Sequence, residues 1–299
     1  MKLALLTALF LATTVACQNE TQKQGGKKQD PAKTRQEKVQ DPKGVLKDVI
    51  ASFKKEGIKL DAKARTVTIP VVVNRMQDPI EYLLIHQKGK KHESVFKTNT
   101  KPSILNAALL MIGLDKGKNA TYKEKEPAPT LEEVQNGADP LIVTPPQGKP
   151  YYMTVRWTTP ENQVEETCVE DVILDLTTQK PMGLCSWIYL GGRMARLYKN
   201  DPEVYIADYE GNLVSICYLT PDNHLGTMVH ERARDDSNWW TTTKLPKEGT
   251  EMEFIFHAIE PPMHVERTKK LRAQQKADAG KKKAGGEAKK SDAKKSGKK

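Results

Sequence analysis

The stretch "DPIEYLLIHQKGKKHESVFKTNTKPSILNAALLMIGL", residues 78–114, carries most of the information about the fold. "PIEYLLIHQ" and "KHESVFK" read as strands on either side of Lys88-Gly89-Lys90, a break suited to a hairpin turn. "TKPSILNAALLMIGL" reads as a helix: Thr100 offers an N-cap, Pro102 fits the first turn, and Gly113 supplies a stop. Apolar side chains surround this helix, which predicts burial on every side rather than an amphipathic face.

Working outward, "VLKDVIASFKKEG" (45–57) sets Val45, Val49, Ile50 and Phe53 on one helical face and closes on Gly57. "ARTVTIPVVVN" (64–74) is strand-like by its β-branched content; Pro70 cannot donate to a ladder and predicts an edge or a bulge. Residues 44–126 thus form an α+β half, an N-terminal hairpin plus a buried helix. Residues 127–149 are a Pro-rich connector in which "LIVT" makes a short strand. Residues 150–260 are β-rich: "YYMTVRW", "CVEDVILDL", "SWIYL", "EVYIADY", "LVSICYL", "TMVHERA" and "MEFIFHA" alternate with turn signals. The expected architecture is α+β, the hairpin and helix packing on an antiparallel sheet or sandwich, with no solenoid repeat.

The two ends read differently. "MKLALLTALFLATTVACQNE" has a lysine, an apolar run and small residues before Cys17, the pattern of a secretory signal peptide over residues 1–16. Its apolar run is too short to span a membrane. Thr14-Val15-Ala16-Cys17 resembles a lipobox, with Thr14 in place of the usual leucine; Cys17 is the candidate lipidation site, and ordinary cleavage is the alternative. Residues 17–43 read as a disordered linker and residues 261–299 as a disordered basic tail. The tail from Thr268 holds thirteen Lys/Arg against three Asp/Glu, and residues 18–43 hold seven against four. Together with Lys2 they exceed the chain's net charge of +10, so residues 44–267 carry a net −4. That balance argues against a basic nucleic-acid groove in the folded part. The expected partners are a membrane, through the N-terminal lipid, and anionic envelope polymers or headgroups, through the tail.

Chemistry is sparse. His92-Glu93-Ser94 juxtaposes three reactive side chains, but in a strand His92 and Ser94 would share a face and Glu93 would point away. A Ser-His-acid triad cannot be built from such neighbours, and no Gly-x-Ser-x-Gly elbow is present in this region. A hairpin centred on Gly89 would set His86 opposite His92, a weak candidate pair for a metal that lacks further ligands. "YLGGR" makes Gly191, Gly192 and Arg193 a candidate pocket, against the simpler reading of a tight turn. Trp239-Trp240 reads mainly as core. Cys168, Cys185 and Cys217 lack iron–sulfur spacing and read as buried free thiols, or as one 168–185 disulfide. No cofactor is implied.

The 78–114 stretch resembles the YdjY-domain family of bacterial envelope-associated proteins in its EYLL strand, glycine turn, His-Glu-Ser segment and apolar helix. The similarity continues through "VEDVILDLTTQKPM", "WIYLGGR" and "VYIADYEGNLVSI", covering most of residues 44–258. It marks His92, Glu93 and Ser94 as a shared feature without assigning them a role. His86 and Cys185 depart from the apolar and small residues that the resemblance leads one to expect.

The expected function is therefore that of an exported, lipid-anchored envelope protein with a non-enzymatic binding or structural role. The alternative is an envelope enzyme, a metal- or His-assisted hydrolase centred on His92. The two separate on whether His92 lies in a concave pocket with a third polar group or is buried against the helix.

Overall fold

The structure, a computed structural model, describes residues 42–74 and 79–296; side chains are described from 47 to 279 within that span. The leader, Cys17 and nearly all of the 17–43 linker lie outside the described residues.

The strands expected from β-branched alternation are present, but they close on themselves. β1 (Thr66–Val73), β2 (Tyr82–His86), β3 (Ser94–Thr98), β4 (Pro150–Thr158), β5 (Ser186–Tyr189), β6 (Asn212–Ser215), β7 (Gly226–Val229) and β8 (Glu251–His257) share one sheet. Its order is β1-β8-β4-β5-β7-β6-β2-β3, and β3 pairs back onto β1 through Val72–Lys97 and Val73–Phe96. The result is the expected mixed α+β fold, with its main sheet closed into a ring. Closure removes the exposed edges that an open sheet would leave. Strands 59–61 and 164–168 branch off, pairing with β1 and β4. The ring draws on residues on both sides of the Pro-rich segment, so the two expected halves form one barrel.

Two ring pairings are parallel, β6–β7 and β2–β3. The second corrects the expected hairpin: Tyr82 lies beside Ser94 and His86 beside Thr98. The chain leaves β2, doubles back through residues 87–93, and runs again in the same direction. Parallel strands ordinarily need a dozen or more linking residues. Here Gly89 permits the short return, because its Cα side lies against the Gly211 carbonyl, which a Cβ would approach to 2.6 Å.

Alternate residues fill the barrel. Val67, Ile69, Val71 and Val73 of β1, Tyr151, Met153, Val155 and Trp157 of β4, and Met252, Phe254 and Phe256 of β8 are buried. Phe96 meets Phe254 edge-on with ring centroids 5.8 Å apart, and Tyr151 stacks on Phe256 at 6.4 Å. Pro70 sits where β1 has a ladder partner only in Glu253 of β8; on its other edge, between the two partner segments, the Thr98 hydroxyl donates to its carbonyl at 2.7 Å, so the missing N–H costs no ladder bond.

Helices cover the ring. α1 (Pro42–Lys55) buries Phe53 and half-buries Val49, while Ile50, expected on the same face, is exposed. α2 (Pro102–Met111) begins after Lys101 rather than being capped by Thr100, whose hydroxyl donates to the Glu56 carbonyl at 3.0 Å. It ends at Gly113, which has φ 81°. The expectation of an all-round buried helix is corrected: Leu105, Ala108 and Leu109 are buried, but Leu110 is 52% and Met111 48% exposed.

The Pro-rich connector is an ordered excursion. Strands 121–124 and 141–144 pair, with α3 (Leu131–Gln135) between them, closed by a capping box of Thr130 and Glu133. α4 (Ile206–Glu210) ends on Gly211 in the left-handed region. α5 (Pro262–Ser296) then follows β8. Order thus continues past 260, because His264 and Arg267 fasten the first turns of α5 to the barrel. From Arg272 to Ala279 every residue is exposed, in keeping with a composition that has almost nothing apolar to bury.

Candidate functional site

The His-Glu-Ser segment occupies a 3-10 turn, Lys91–Glu93, that delivers the chain into β3. The strand geometry expected for it is therefore absent until Ser94. His92 is 72% exposed at its side chain, with Nε2 3.6 Å from Glu93. It neither enters a pocket with a third polar group nor packs under α2. Glu93 takes the Lys90 ammonium at 2.6 Å, and Glu81 approaches the same ammonium at 3.4 Å. Burial, then the charge of Glu93, holds the Glu81 carboxyl above its ordinary range. Lys90 also lies 5.5 Å over the Tyr82 ring.

Ser94 is spent on structure. Its hydroxyl donates to the Lys90 carbonyl, and the Asn74 amide donates to the carbonyls of Lys91 at 2.7 Å and Ser94 at 3.0 Å. Asn212 accepts from the Lys90 N–H at 3.3 Å and donates to the Tyr82 hydroxyl at 3.3 Å. These bonds tie the return loop to Asn74 beyond β1 and to Asn212 of β6, and none of them links a nucleophile to a base.

His86 lies at the other end of β2, buried, its Nδ1 accepting from Lys88 N–H at 3.3 Å. Burial, then the neighbouring Lys88, lowers its pKa. The parallel pairing separates it from His92 by the length of the strand, so the candidate metal pair is overturned. Among the described residues no group of three His, Cys, Asp or Glu is placed to hold a metal ion.

Gly191 and Gly192, with φ 69° and 62°, form a turn packed on tyrosines. The Tyr205 hydroxyl donates to the Gly191 carbonyl at 2.8 Å, and a Cβ on Gly192 would come within 2.6 Å of that hydroxyl. Arg193 donates from Nε to Asn223 at 2.7 Å. Their polar groups are used within the fold. Trp239 is fully buried and Trp240 half-buried, as a core role requires. Cys168, Cys185 and Cys217 are free thiols.

Beside the His-Glu-Ser turn lies a groove of about 680 Å³ lined by residues of β3, β1, β8 and β4. Lys91, Lys97, Asn99, Gln87, Arg156 and Glu251 contribute polar groups to it, and Val72, Trp157 and Met252 apolar ones. Arg156 is fixed by Glu253, with Nε at 2.9 Å and Nη2 at 2.6 Å. A cavity of this size, part apolar with a few converging polar groups, matches small-ligand sites.

A second cluster escaped sequence reading. "CVEDV" reads as strand, but Val169–Val172 is a 3-10 turn that drives Glu170 inside. Glu170 is completely buried; its Oε1 accepts the Trp187 indole N–H at 2.8 Å and lies 3.7 Å from His264 Nε2 and 4.0 Å from Cys185 Sγ. The only sequence signal was an acidic pair, Glu170-Asp171, between apolar residues, which does not distinguish inside from outside.

An α+β barrel domain with a polar surface groove and a helix-covered acidic flank is the class these features define. The chain belongs to the YdjY domain family, whose profile matches residues 58–257. No curated protein and no solved structure matches it. Among the described residues no helix is long and apolar enough to cross a membrane.

Proposed function

We propose that this is an exported, lipid-anchored protein of the cell envelope, facing the periplasm or exterior, whose barrel binds a ligand without transforming it. The leader and Cys17 support export and anchoring. The observation that carries the binding reading is the 680 Å³ groove, because it adjoins the His-Glu-Ser turn through Lys91 and mixes apolar walls with converging polar groups. The hydrolase alternative centred on His92 has no such support: the imidazole faces solvent and Ser94 donates to a carbonyl. The basic tail adds a salt-sensitive contact with anionic polymers or headgroups.

Labelled-palmitate incorporation in the full chain and in Cys17→Ala tests the anchor; equal labelling would refute it. Envelope extract passed over the full chain and over Lys91→Glu/Lys97→Glu tests the groove. The wild type is expected to retain a component that the double variant loses. Identical retention by both would remove the groove from the reading.

A further inference from the structure

Two rows of side chains cross the 680 Å³ groove. The first sets Lys97 of β3 beside Val72 of β1, and Val72 beside Glu251 of β8. Their chain neighbours Phe96, Val71, Val73 and Met252 are buried, so these three side chains turn away from the core. The second row sets Pro70 beside Glu253 of β8, and Glu253 beside Arg156 of β4. Thr158, two residues past Arg156, pairs with Val164 of strand 164–168 at the far side. Five strands in a row make a floor roughly 19 Å long, at about 4.8 Å between strands.

The second row is electrically complete. Glu253 accepts from Lys59 at 2.7 Å and from Arg156 at 2.9 and 2.6 Å, while Arg156 Nη1 lies 3.8 Å from Glu166. The rest of the groove is not. The side chains of Lys91, Lys97, Gln87, Asn99, Thr158 and Glu251 line it, and none has a hydrogen-bond or ion-pair partner among the described residues. Two ammoniums thus stand against one carboxylate, a local positive excess on a globule that is acidic as a whole.

We infer, building on the binding reading of this groove, that its ligand is an acidic oligosaccharide. Lys91 and Lys97 hold a carboxylate or phosphate of the sugar, in charge-assisted hydrogen bonds stronger than neutral ones. Gln87, Asn99 and Thr158 each donate and accept, as sugar hydroxyls do, and Glu251 accepts from a hydroxyl while repelling an anion. Apolar surface is thin. Trp157 and Met252 are buried and Val72 is half-buried, which leaves Pro70 and Val164 as the exposed apolar groups. They offer footing for the C–H faces of sugar rings. They are too little for an acyl chain, or for the side-chain pockets by which an extended peptide is read.

Isothermal titration calorimetry of the full-length chain tests this at about 0.15 M salt, which screens the diffuse pull of the basic tail. Two pairs of probes differ in charge alone: tetragalacturonate with its methyl ester, and phosphorylated maltotetraose with maltotetraose. Tetraglutamate is the peptide control. At least one acidic sugar is expected to bind about tenfold tighter than its neutral partner, and the tighter pair identifies the anion. Tetraglutamate should bind no better than the neutral sugars. Lys97→Gln should remove most of the difference. Glu251→Gln, which takes away the unpaired acid, should tighten the acidic sugar about threefold and leave its neutral partner unchanged. Equal affinity within both pairs, tetraglutamate matching the sugars, no sugar binding, or an acidic-sugar affinity unmoved by Glu251→Gln would each overturn the inference. Retention from envelope extract judges the groove separately. If it still depends on Lys91 and Lys97, the groove stands and only the ligand class falls; if it does not, both fall.

Discussion

His86 and His92, six residues apart in the chain, stand at opposite ends of one parallel strand pair: His86 lies beside Thr98, while His92 precedes Ser94 beside Tyr82. Four residues of extended chain span about 13 Å, so no single ion bridges the two imidazoles. His92→Ala should change unfolding free energy by less than about 0.5 kcal/mol, as expected of a solvent-facing side chain. Added zinc should leave the melting temperature of wild type and variant alike. A urea titration and a melting curve check both; a zinc shift lost in His92→Ala would restore the metal reading.

The short return between β2 and β3 depends on backbone touching backbone. Gly211 has φ 77°, and a Cβ there would lie 2.7 Å from the Gly89 nitrogen. Gly211→Ala should cost about 2 kcal/mol or more, from left-handed strain plus the clash. Urea denaturation measures it, with exposed Gly137→Ala as the comparison: Gly137 is also left-handed, at φ 93°, but its Cβ position meets nothing. Equal costs would mean that the crossing contributes nothing beyond local strain.

The thiols should be quiet in the native state. Burial, then the nearby charges of Glu170 and Asp171, pushes Cys168 up to about 12. Cys217 and Cys185 are also raised, burial being the main cause in each. Each pH unit by which a thiol's pKa exceeds the ambient pH cuts its thiolate about tenfold. Iodoacetamide at pH 7.5 is expected to alkylate none of the three at an appreciable rate until denaturant is added. Rapid native labelling of Cys185 would identify it as an accessible, activated thiol.

Acid should destabilise the barrel through its buried histidines. Burial lowers His224 to about 4, and its Nε2 has no partner. The unfolded chain therefore takes up a proton on this group below about pH 6.5 while the folded chain does not. Stability falls as pH drops from about 6.5 to 4, by up to about 3 kcal/mol for this residue, and then levels. His86, His230 and His257 are lowered too and act in the same direction. Urea unfolding at pH 4.5 and 7 should show a smaller difference in His224→Gln than in the wild type. An unchanged difference would remove His224 from the acid response.

Much of the fold is legible in local pattern. The alternation of Val67, Ile69, Val71 and Val73 marks β1 without any neighbour, and Pro102 with Gly113 brackets α2. Pairing is less legible, since residues 82–86 and 94–98 would be equally apolar in a hairpin or a parallel pair. What chooses is Gly89 resting on Gly211, a contact between positions 122 residues apart. The same holds for the sites. His92 draws attention because reactive side chains adjoin in sequence, yet its turn points it to solvent. Glu170 draws none, and lies at the centre of a cluster assembled from residues 170, 185, 187 and 264.

By itself, the order of amino acids determined where most of the barrel strands and the helices at 45–57 and 100–113 form, where charge accumulates, and that the globule is mildly acidic between basic ends. Those properties follow from side-chain periodicity and composition, which are local or additive. Only the tertiary structure decided that the strands close into a ring, that the helix at 102–111 keeps one side in water, and that a buried carboxylate faces the root of α5. Those depend on which distant backbones can approach, and approach is set by packing in space.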